Sequence, residues 1–112
     1  MRGFKILSEK VASKGLLRES KFTNYTNALS QAAKKQTGFM SSNSYFKDSI
    51  KANTQHKLTM VTISEWYSSD DWEQWFQSQE RKSIRNQYQD IIAEEHFYRV
   101  FKKKEIEDVF LL

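Results

Sequence analysis

Residues 58–76, LTMVTISEWYSSDDWEQWF, contain the transition between strand and helix from which the fold can be worked out. The segment Leu58–Trp66 is rich in Val, Ile and Thr, and these residues favour β-strands. It is followed by Ser68-Ser69-Asp70-Asp71, and a serine cap with carboxylates in the first turn is typical of a helix N-terminus. The sequence therefore predicts a strand that ends at Trp66 and continues into Tyr67, with a helix directly after it.

The helix predicted after this strand has apolar residues three or four positions apart in two groups: Trp72, Trp75 and Phe76, then Ile84, Tyr88 and Ile91. The apolar pattern lapses between Gln77 and Arg81. We therefore expect a kink at that point, or two shorter helices in place of one.

The flanking sequence predicts four more elements: a strand at Phe4–Val11, a helix at about Leu16–Gln36, a strand at Phe39–Phe46 and a strand at Glu95–Phe101. In the first strand, Phe4, Ile6 and Ser8 share one face. The order β-α-β-β-α-β predicts a ferredoxin-like α+β domain, in which the helices cover one face of a four-stranded antiparallel sheet. Because the strands are apolar, we expect a second copy of the chain to cover the other face.

The 112-residue chain has the length of a single domain, which we assign to residues 1–101. Residues 102–112 end on Val109-Phe110-Leu111-Leu112. We expect this apolar tail to pack on the body of the domain or on a dimer partner. The chain has no cysteine, which excludes disulfides, thiolate zinc sites and cysteine nucleophiles.

The net charge of +4 is unevenly distributed, with eleven Lys/Arg against three Asp/Glu in residues 1–57 and seven against eleven in residues 58–112. The basic residues are scattered and no nucleic-acid motif accompanies them, so a solvated surface is the simpler interpretation. No apolar run is long enough to span a bilayer, and Met1–Leu7 carries a charge inside what would be the core of a signal peptide. We therefore expect a cytoplasmic protein that binds neither nucleic acid nor membrane.

One cluster, Trp66-Tyr67-Ser68 with Trp72, Trp75 and Ser78, gives the pattern W-x-S-x-x-x-W-x-x-W-x-x-S, and Gly38-Phe39 lies upstream of it at a helix-to-strand junction. Together these residues resemble the antibiotic biosynthesis monooxygenase family over roughly Phe4–Phe101, although the proline that often precedes the Gly-Phe pair is absent. The resemblance implies a homodimer in which two sheets close into an α+β barrel, with a pocket between sheet and helices in each subunit. Family members include cofactor-independent oxygenases, heme-degrading oxygenases and proteins without known activity, and fold alone does not select among them.

The heme-degrading branch of the family can be compared with this chain residue by residue. Its pattern has a tryptophan on the second helix, an axial histidine ten positions later and an asparagine on the first strand. Trp75 matches the tryptophan, but Arg85 stands at the histidine position and the first strand offers Ser8 and Glu9. A guanidinium that stays charged cannot ligate iron. Heme is therefore disfavoured as a cofactor, and His96 is left as a non-standard ligand.

Cofactor-independent oxygenation requires an aromatic pocket and a polar group that helps to remove the proton of the substrate. The residues predicted to line the pocket are Tyr45, Trp66, Trp72, Trp75 and Phe76. The predicted polar participants are Arg85, which would stabilise a phenolate, and His96, which would serve as the base. The sequence thus predicts a monooxygenase that acts on a small aromatic or quinol-like molecule with dioxygen and without a cofactor.

Each of these residues also has a structural interpretation: aromatic residues at helical spacing are often core, and Arg85 fits a solvated helix face. Glu94-Glu95-His96 does not predict a metal site, because adjacent strand residues point to opposite faces. Two histidines without cysteine also argue against a dedicated transition-metal site. Because the same residues could line a pocket without taking part in catalysis, the alternative function is a non-catalytic homodimer that binds a small ligand there.

Overall fold

The computed structural model describes residues 3–13, 19–47 and 58–100. Its strands are β1 (Phe4–Ala12), β2 (Phe39–Lys47), β3 (Thr59–Trp66) and β4 (Ile92–Val100), and its helices are α1 (Glu19–Ala33), α2 (Ser69–Phe76) and α3 (Gln79–Gln87). A 3₁₀ turn at Gln89–Ile91 precedes β4. The strands form one antiparallel sheet in the order β2-β3-β1-β4. The predicted ferredoxin-like α+β fold is confirmed.

The predicted interruption of the second helix is the break between α2 and α3. Ser78 has extended backbone at that point, and its hydroxyl accepts a hydrogen bond from the Arg81 backbone N–H at 3.1 Å. Side-chain caps of this kind satisfy backbone donors that a new helix would otherwise leave unpaired. The apolar pattern lapses here because the chain ends one helix and begins another.

The last strand begins at Ile92, whereas the sequence predicts a start at Glu95. The polar residues after Ile92 hide the alternation, yet Ile92 pairs with Ala12 across a register shift that follows Val11. The 3₁₀ turn directly before β4 brings Ile92 to this pairing position. Three other predicted features lie outside the described residues: the helix start near Leu16, the strand end at Phe101 and the tail at 102–112.

The antiparallel register assigns the strand residues to two faces of the sheet. Residues opposite one another share a face, so Ser8 lies with Thr62 and Phe97, whereas Leu7 lies with Ile63 and Tyr98. We call the side of Ser8, against which the helices pack, the helix-covered face. The side of Leu7 carries none of the helices in the described ranges, and we call it the open face.

Two groups of buried side chains hold the helices on the sheet. The first comprises Ala12, Phe22, Tyr25, Met60 and Ile91, and the second comprises Ala32, Ala33, Trp66 and Trp75. Fully burying a large apolar side chain contributes on the order of 1.5–3 kcal/mol, so these groups supply much of the driving force for folding. None of the helices in the described ranges has the length and apolar character needed to cross a membrane.

Gly38 connects α1 to β2 in a conformation that other residues rarely adopt. Its φ angle is +82°, and a Cβ atom at this position would collide with the carboxylate of Asp71. Asp71 is itself fixed at the start of α2, where its backbone N–H donates to the Ser68 hydroxyl at 3.2 Å. The carbonyl of Gly38 accepts a hydrogen bond from the Tyr67 N–H at 2.7 Å. The glycine thus allows the two helix-strand junctions to lie side by side.

Candidate functional site

A cavity of about 70 Å³ lies between the helix-covered face and the helices. One water needs roughly 10–15 Å³ of such space, so the cavity accepts several waters or one small ring. Its lining includes Ser8, Lys10, Thr62, Trp66, Arg81 and Phe97. They come from β1, β3, β4 and α3, so the fold brings together residues that are distant in sequence.

The floor of the cavity is a group of hydroxyl side chains on three neighbouring strands: Ser8, Ser42, Ser44, Thr62 and Ser64. The Ser44 and Thr62 hydroxyls lie 2.8 Å apart, and the Ser42 hydroxyl lies 3.3 Å from that of Ser30 on α1. Inward positions of a covered sheet face are more often filled by large apolar side chains. The small residues leave space above the sheet, and their hydroxyls offer both donors and acceptors to a ligand.

The wall of the cavity is aromatic and includes all three tryptophans of the chain. Trp66 and Trp75 are stacked, with ring centroids 6.3 Å apart, and Trp66 Nε1 donates to the Ser64 hydroxyl at 3.1 Å. Trp72 packs on Phe76 at 4.9 Å between centroids, and Phe76 meets the edge of Phe97 at 5.0 Å. Rings in such arrangements present flat apolar surfaces on which an aromatic ligand can stack.

Lys10 on β1 brings a cation to this cavity. Only 4% of the residue is exposed, and its amine donates to the Ser8 hydroxyl at 3.1 Å. Burial lowers the pKa of Lys10 from 10.5 to about 8, an effect that the attraction of Glu95 opposes and the repulsion of Arg81 reinforces. The Lys10 amine is therefore partly unprotonated near neutral pH, unlike an ordinary surface lysine.

A second buried cation, Arg81 on α3, lies on the ring of Phe76 at 4.2 Å from the centroid and donates to the Phe76 carbonyl at 3.1 Å. Its guanidinium is 3.7 Å from the carboxylate of Glu95, whose side chain is 3% exposed. Burial lowers the pKa of Arg81, and the attraction of Glu95 opposes that shift. Arg81 nevertheless stays charged, because an arginine guanidinium does not lose its proton in proteins.

Glu95 is the carboxylate that balances these charges. It accepts a hydrogen bond from the Tyr25 hydroxyl at 2.8 Å on Oε1, and Arg85 Nε lies 3.0 Å from Oε2. Among the described residues, none donates a well-directed hydrogen bond to Oε2. The contact between Arg85 and Oε2 is therefore an ion pair. Burial raises the pKa of Tyr25, as does the neighbouring Glu95 carboxylate. Two buried cations, Lys10 and Arg81, thus share one buried carboxylate, and protonated Lys10 leaves the cavity with a surplus positive charge.

Four of the residues predicted as pocket lining, Trp66, Trp72, Trp75 and Phe76, lie together at the cavity. The structure separates the other three predicted residues from it. Tyr45 and His96 lie on the open face, because they are opposite Val61 and Glu9 respectively. His96 Nε2 lies 3.3 Å from Glu94 on that same face, and Arg85 contacts Glu95 from a half-exposed position without lining the cavity.

Lys10, Arg81, Glu95 and the hydroxyl floor were not among the predicted site residues. The sequence could have predicted that Lys10 faces the helices, because the alternation of Phe4, Ile6 and Ser8 makes Lys10 the next residue on the same face of the strand. No comparable signal existed for Glu95, since its face depends on where β4 begins. Within the described part of the chain, no group of three potential ligands among His, Cys, Asp and Glu is arranged to hold a metal ion.

No protein-family model matches this sequence, and no curated protein matches it significantly. Solved structures do share its fold. A variant of SnoaB, a cofactor-independent oxygenase from Streptomyces nogalater, superposes with a TM-score of 0.72 at 8% identity, covering 96% of this chain and 100% of SnoaB. PA3566 from Pseudomonas aeruginosa superposes with a TM-score of 0.69 at 9% identity, and the match covers 93% of this chain and 97% of PA3566.

A Bacillus cereus protein classed with the antibiotic biosynthesis monooxygenases is also similar. Its TM-score is 0.59 at 18% identity, and the match covers 95% of this chain and 100% of the Bacillus protein. Such similarities establish the fold and leave the activity open. The chain therefore has the ferredoxin-like α+β fold of the antibiotic biosynthesis monooxygenases.

Proposed function

We propose that this chain is an oxygenase that oxidises a small phenol or quinol with dioxygen and without a bound cofactor. The observation that carries the proposal is the cavity itself, which combines an aromatic wall, a hydroxyl floor and two buried cations. The similarity to SnoaB, a cofactor-independent oxygenase, supports the same reaction class.

Each part of the cavity has a task in this reaction. The rings of Trp66, Trp72 and Trp75 would hold the aromatic ligand by stacking, and the serine and threonine hydroxyls would orient its oxygen substituents. The surplus positive charge would stabilise the phenolate that forms when the ligand loses its proton, and a low-dielectric site strengthens that effect. The phenolate is the electron-rich form that reacts with dioxygen.

The reaction that we propose balances without an external reductant. A phenol with a free ring position and one dioxygen give a quinone and one water. One oxygen atom of dioxygen becomes a carbonyl oxygen on a ring carbon, and the other leaves as water. The ring supplies all four electrons that dioxygen accepts, and the two hydrogens of the water come from the ring C–H and the phenolic O–H.

The open face of the sheet supports the proposal that the protein is a homodimer. Its central strands present Leu7, Val61 and Ile63 together with the charged residues Lys5, Glu9 and Glu65, and Tyr45 and Tyr98 are more than half exposed beside them. Pairing two such faces would bury apolar side chains that otherwise contact water. Each subunit would keep its own cavity on the opposite side of its sheet.

Oxygen uptake by the purified protein with a series of phenols and quinols, in the presence of a metal chelator, tests the oxygenase proposal. Ser30→Leu would fill the cavity from α1, and we expect it to abolish most of the uptake. Gln31→Leu changes the next, exposed residue of the same helix and is the matched control. Uptake that is absent in the wild type, or equal in the wild type and Ser30→Leu, would contradict the proposal.

A non-catalytic small-ligand-binding protein is the second candidate, because the same cavity would serve it. It predicts that a phenol raises the thermal stability of the protein by binding the native state but causes no oxygen uptake. Heme binding gains no support from the cavity, since His96 lies on the open face. A hemin titration that produced a saturable Soret band in the wild type, and none in His96→Ala, would restore that alternative.

A further inference from the structure

The Lys10 amine has the position and the bonding capacity to contact a ligand in the cavity. Its ammonium form carries three hydrogens, and the Ser8 hydroxyl is the hydrogen-bond partner that the described residues provide. The group also lies 5.9 Å from the centroid of the Tyr25 ring. Two hydrogens of the ammonium group are thus left for an acceptor in the cavity.

The titratable groups around Lys10 and its counter-ion Glu95 come from three elements, and those that act on the Lys10 charge are Glu95 and Arg81. Tyr25 lies on α1, Arg81 and Arg85 lie on α3, and Glu95 lies directly opposite Lys10 on β4. Glu95 is already engaged by Tyr25, Arg81 and Arg85. Lys10 therefore shares its counter-ion with two guanidiniums. A buried cation without a dedicated counter-ion favours an anion in the adjacent space.

We propose that the cavity binds its aromatic ligand as an anion whose oxygen contacts Lys10, and that the Lys10 amine accepts the proton of the ligand hydroxyl. This inference rests on the proposed function for the cavity as the binding site. In the step, the ligand O–H bond breaks and its electron pair stays on oxygen, while the proton bonds to the lone pair of the Lys10 nitrogen. The result is a phenolate beside an ammonium group, with Arg81 nearby.

The inference narrows the substrate to phenols and enols whose hydroxyl is acidic enough to lose its proton to an amine. The lowered pKa of Lys10, about 8, is consistent with that role. It leaves about a tenth of the amine unprotonated at pH 7 and about half at pH 8. Lys10 is then a catalytic residue in the strict sense, because it touches the reacting oxygen.

The test uses 4-nitrophenol, whose anion absorbs at longer wavelength than its neutral form. Binding is followed by quenching of tryptophan fluorescence, since all three tryptophans line the cavity. At pH 6 we expect the bound probe to show the absorption of the anion while the free probe is mostly neutral. Nitrobenzene lacks the hydroxyl and cannot form the anion. We expect it to bind at least about tenfold more weakly than 4-nitrophenol, which is the effect of lowering the pKa of the bound phenol by one.

Lys10→Met and Lys10→Gln remove the cation, and we expect both to abolish the anion spectrum and to bind 4-nitrophenol no better than nitrobenzene. Lys10→Arg keeps a cation and is expected to retain the anion spectrum. Lys5→Met is the matched control, because Lys5 lies on the same strand but faces the open side of the sheet. Circular dichroism checks that each variant is folded, and the wild-type comparison of the two probes needs no variant at all.

The possible outcomes separate this inference from the oxygenase proposal. If 4-nitrophenol binds in its neutral form, or if the anion spectrum survives in Lys10→Met, the role of Lys10 is overturned while the oxygenase remains open to test. If the probe binds as an anion and no phenol supports oxygen uptake, the inference holds and the oxygenase does not. If neither probe quenches the tryptophans, the inference about Lys10 is overturned, and oxygen uptake alone decides the oxygenase proposal.

Discussion

Lys10 keeps a titratable amine in a place where water reaches only 4% of the residue. Surface lysines stay protonated without cost to folding, but a buried ammonium loses most of its hydration. The chain keeps this residue between Ser8 and Tyr25 rather than an apolar side chain of similar length. At the scale of the single residue, such a position is a cost to stability that a ligand-binding role would explain.

The first prediction is that Lys10→Met stabilises the protein below pH 8 and that this gain shrinks as the pH rises. Well below pH 8 the amine is protonated in both the folded and the unfolded chain, so the cost of burying its charge is fully present. Between pH 8 and 10.5 the unfolded chain binds more protons than the folded one, and wild-type stability therefore rises with pH. The lowered pKa of Lys10 corresponds to a change of at most roughly 3 kcal/mol in the free energy of unfolding.

Urea denaturation of the wild type and Lys10→Met at pH 7, 8.5 and 10 measures this effect. Tyr25 also makes the free energy of unfolding depend on pH, because its pKa is raised. Both proteins contain Tyr25, so its contribution cancels in the difference between their free energies of unfolding. Lys5→Met is the control for the loss of a lysine from the same strand. A gain that is absent at pH 7, or that grows towards pH 10, would show that burial of the Lys10 charge does not cost stability.

The second prediction concerns the hydrogen bond between the Tyr25 hydroxyl and Glu95, 2.8 Å long. Tyr25→Phe removes the donor and leaves the carboxylate with its guanidinium neighbours. Hydrogen bonds to charged groups contribute about 1.5–3 kcal/mol, so we expect a loss of that size in the free energy of unfolding. Tyr67→Phe, at an exposed tyrosine, should change stability by less than about 0.5 kcal/mol. Equal effects of the two substitutions would contradict this account of the cluster.

At the scale of the element, the junction between α1 and β2 depends on Gly38. The third prediction is that Gly38→Ala destabilises the protein by at least about 1–3 kcal/mol, because alanine is strained at φ +82°. Its Cβ would also collide with the Asp71 carboxylate, which belongs to the first turn of α2. Thermal unfolding measures the loss, and Thr37→Ala at the exposed neighbouring position is the control. If both variants unfold at the wild-type temperature, the junction tolerates a side chain and this explanation of Gly38 is wrong.

The same elements show how far the sequence predicts the structure. Local patterns were sufficient for β3, for the Ser68 cap of α2 and for the break before α3, because caps and periodicity are properties of neighbouring residues. The start of β4 was not predictable in this way, since Ile92 joins the strand through its pairing with Ala12, eighty positions earlier. The positions of Tyr45 and His96 depend on register in the same manner. A shift of one residue exchanges the two faces of a sheet, so aromatic and basic character alone could not place them.

In the molecule as a whole, the two faces of the sheet differ in composition. The helix-covered face carries small hydroxyl residues and encloses the cavity, whereas the central strands of the open face carry Leu7, Val61 and Ile63. A stable dimer interface commonly buries about 800 Å² on each partner. A four-stranded sheet offers a surface of that order, which supports the proposal that a second copy of the chain covers the open face.

The last prediction follows from this proposal. Sedimentation velocity should give the mass of a dimer for the wild type and of a monomer for Ile63→Lys, because burying an additional charge between Leu7 and the partner sheet would cost several kcal/mol. Gln74→Lys adds the same charge on the exposed side of α2 and should remain dimeric. If the monomeric variant still binds 4-nitrophenol, each cavity is complete within one subunit, as the described residues that line it indicate. If the wild type is a monomer at micromolar concentration, the open face is not the dimer interface, and Leu7, Val61 and Ile63 need another explanation.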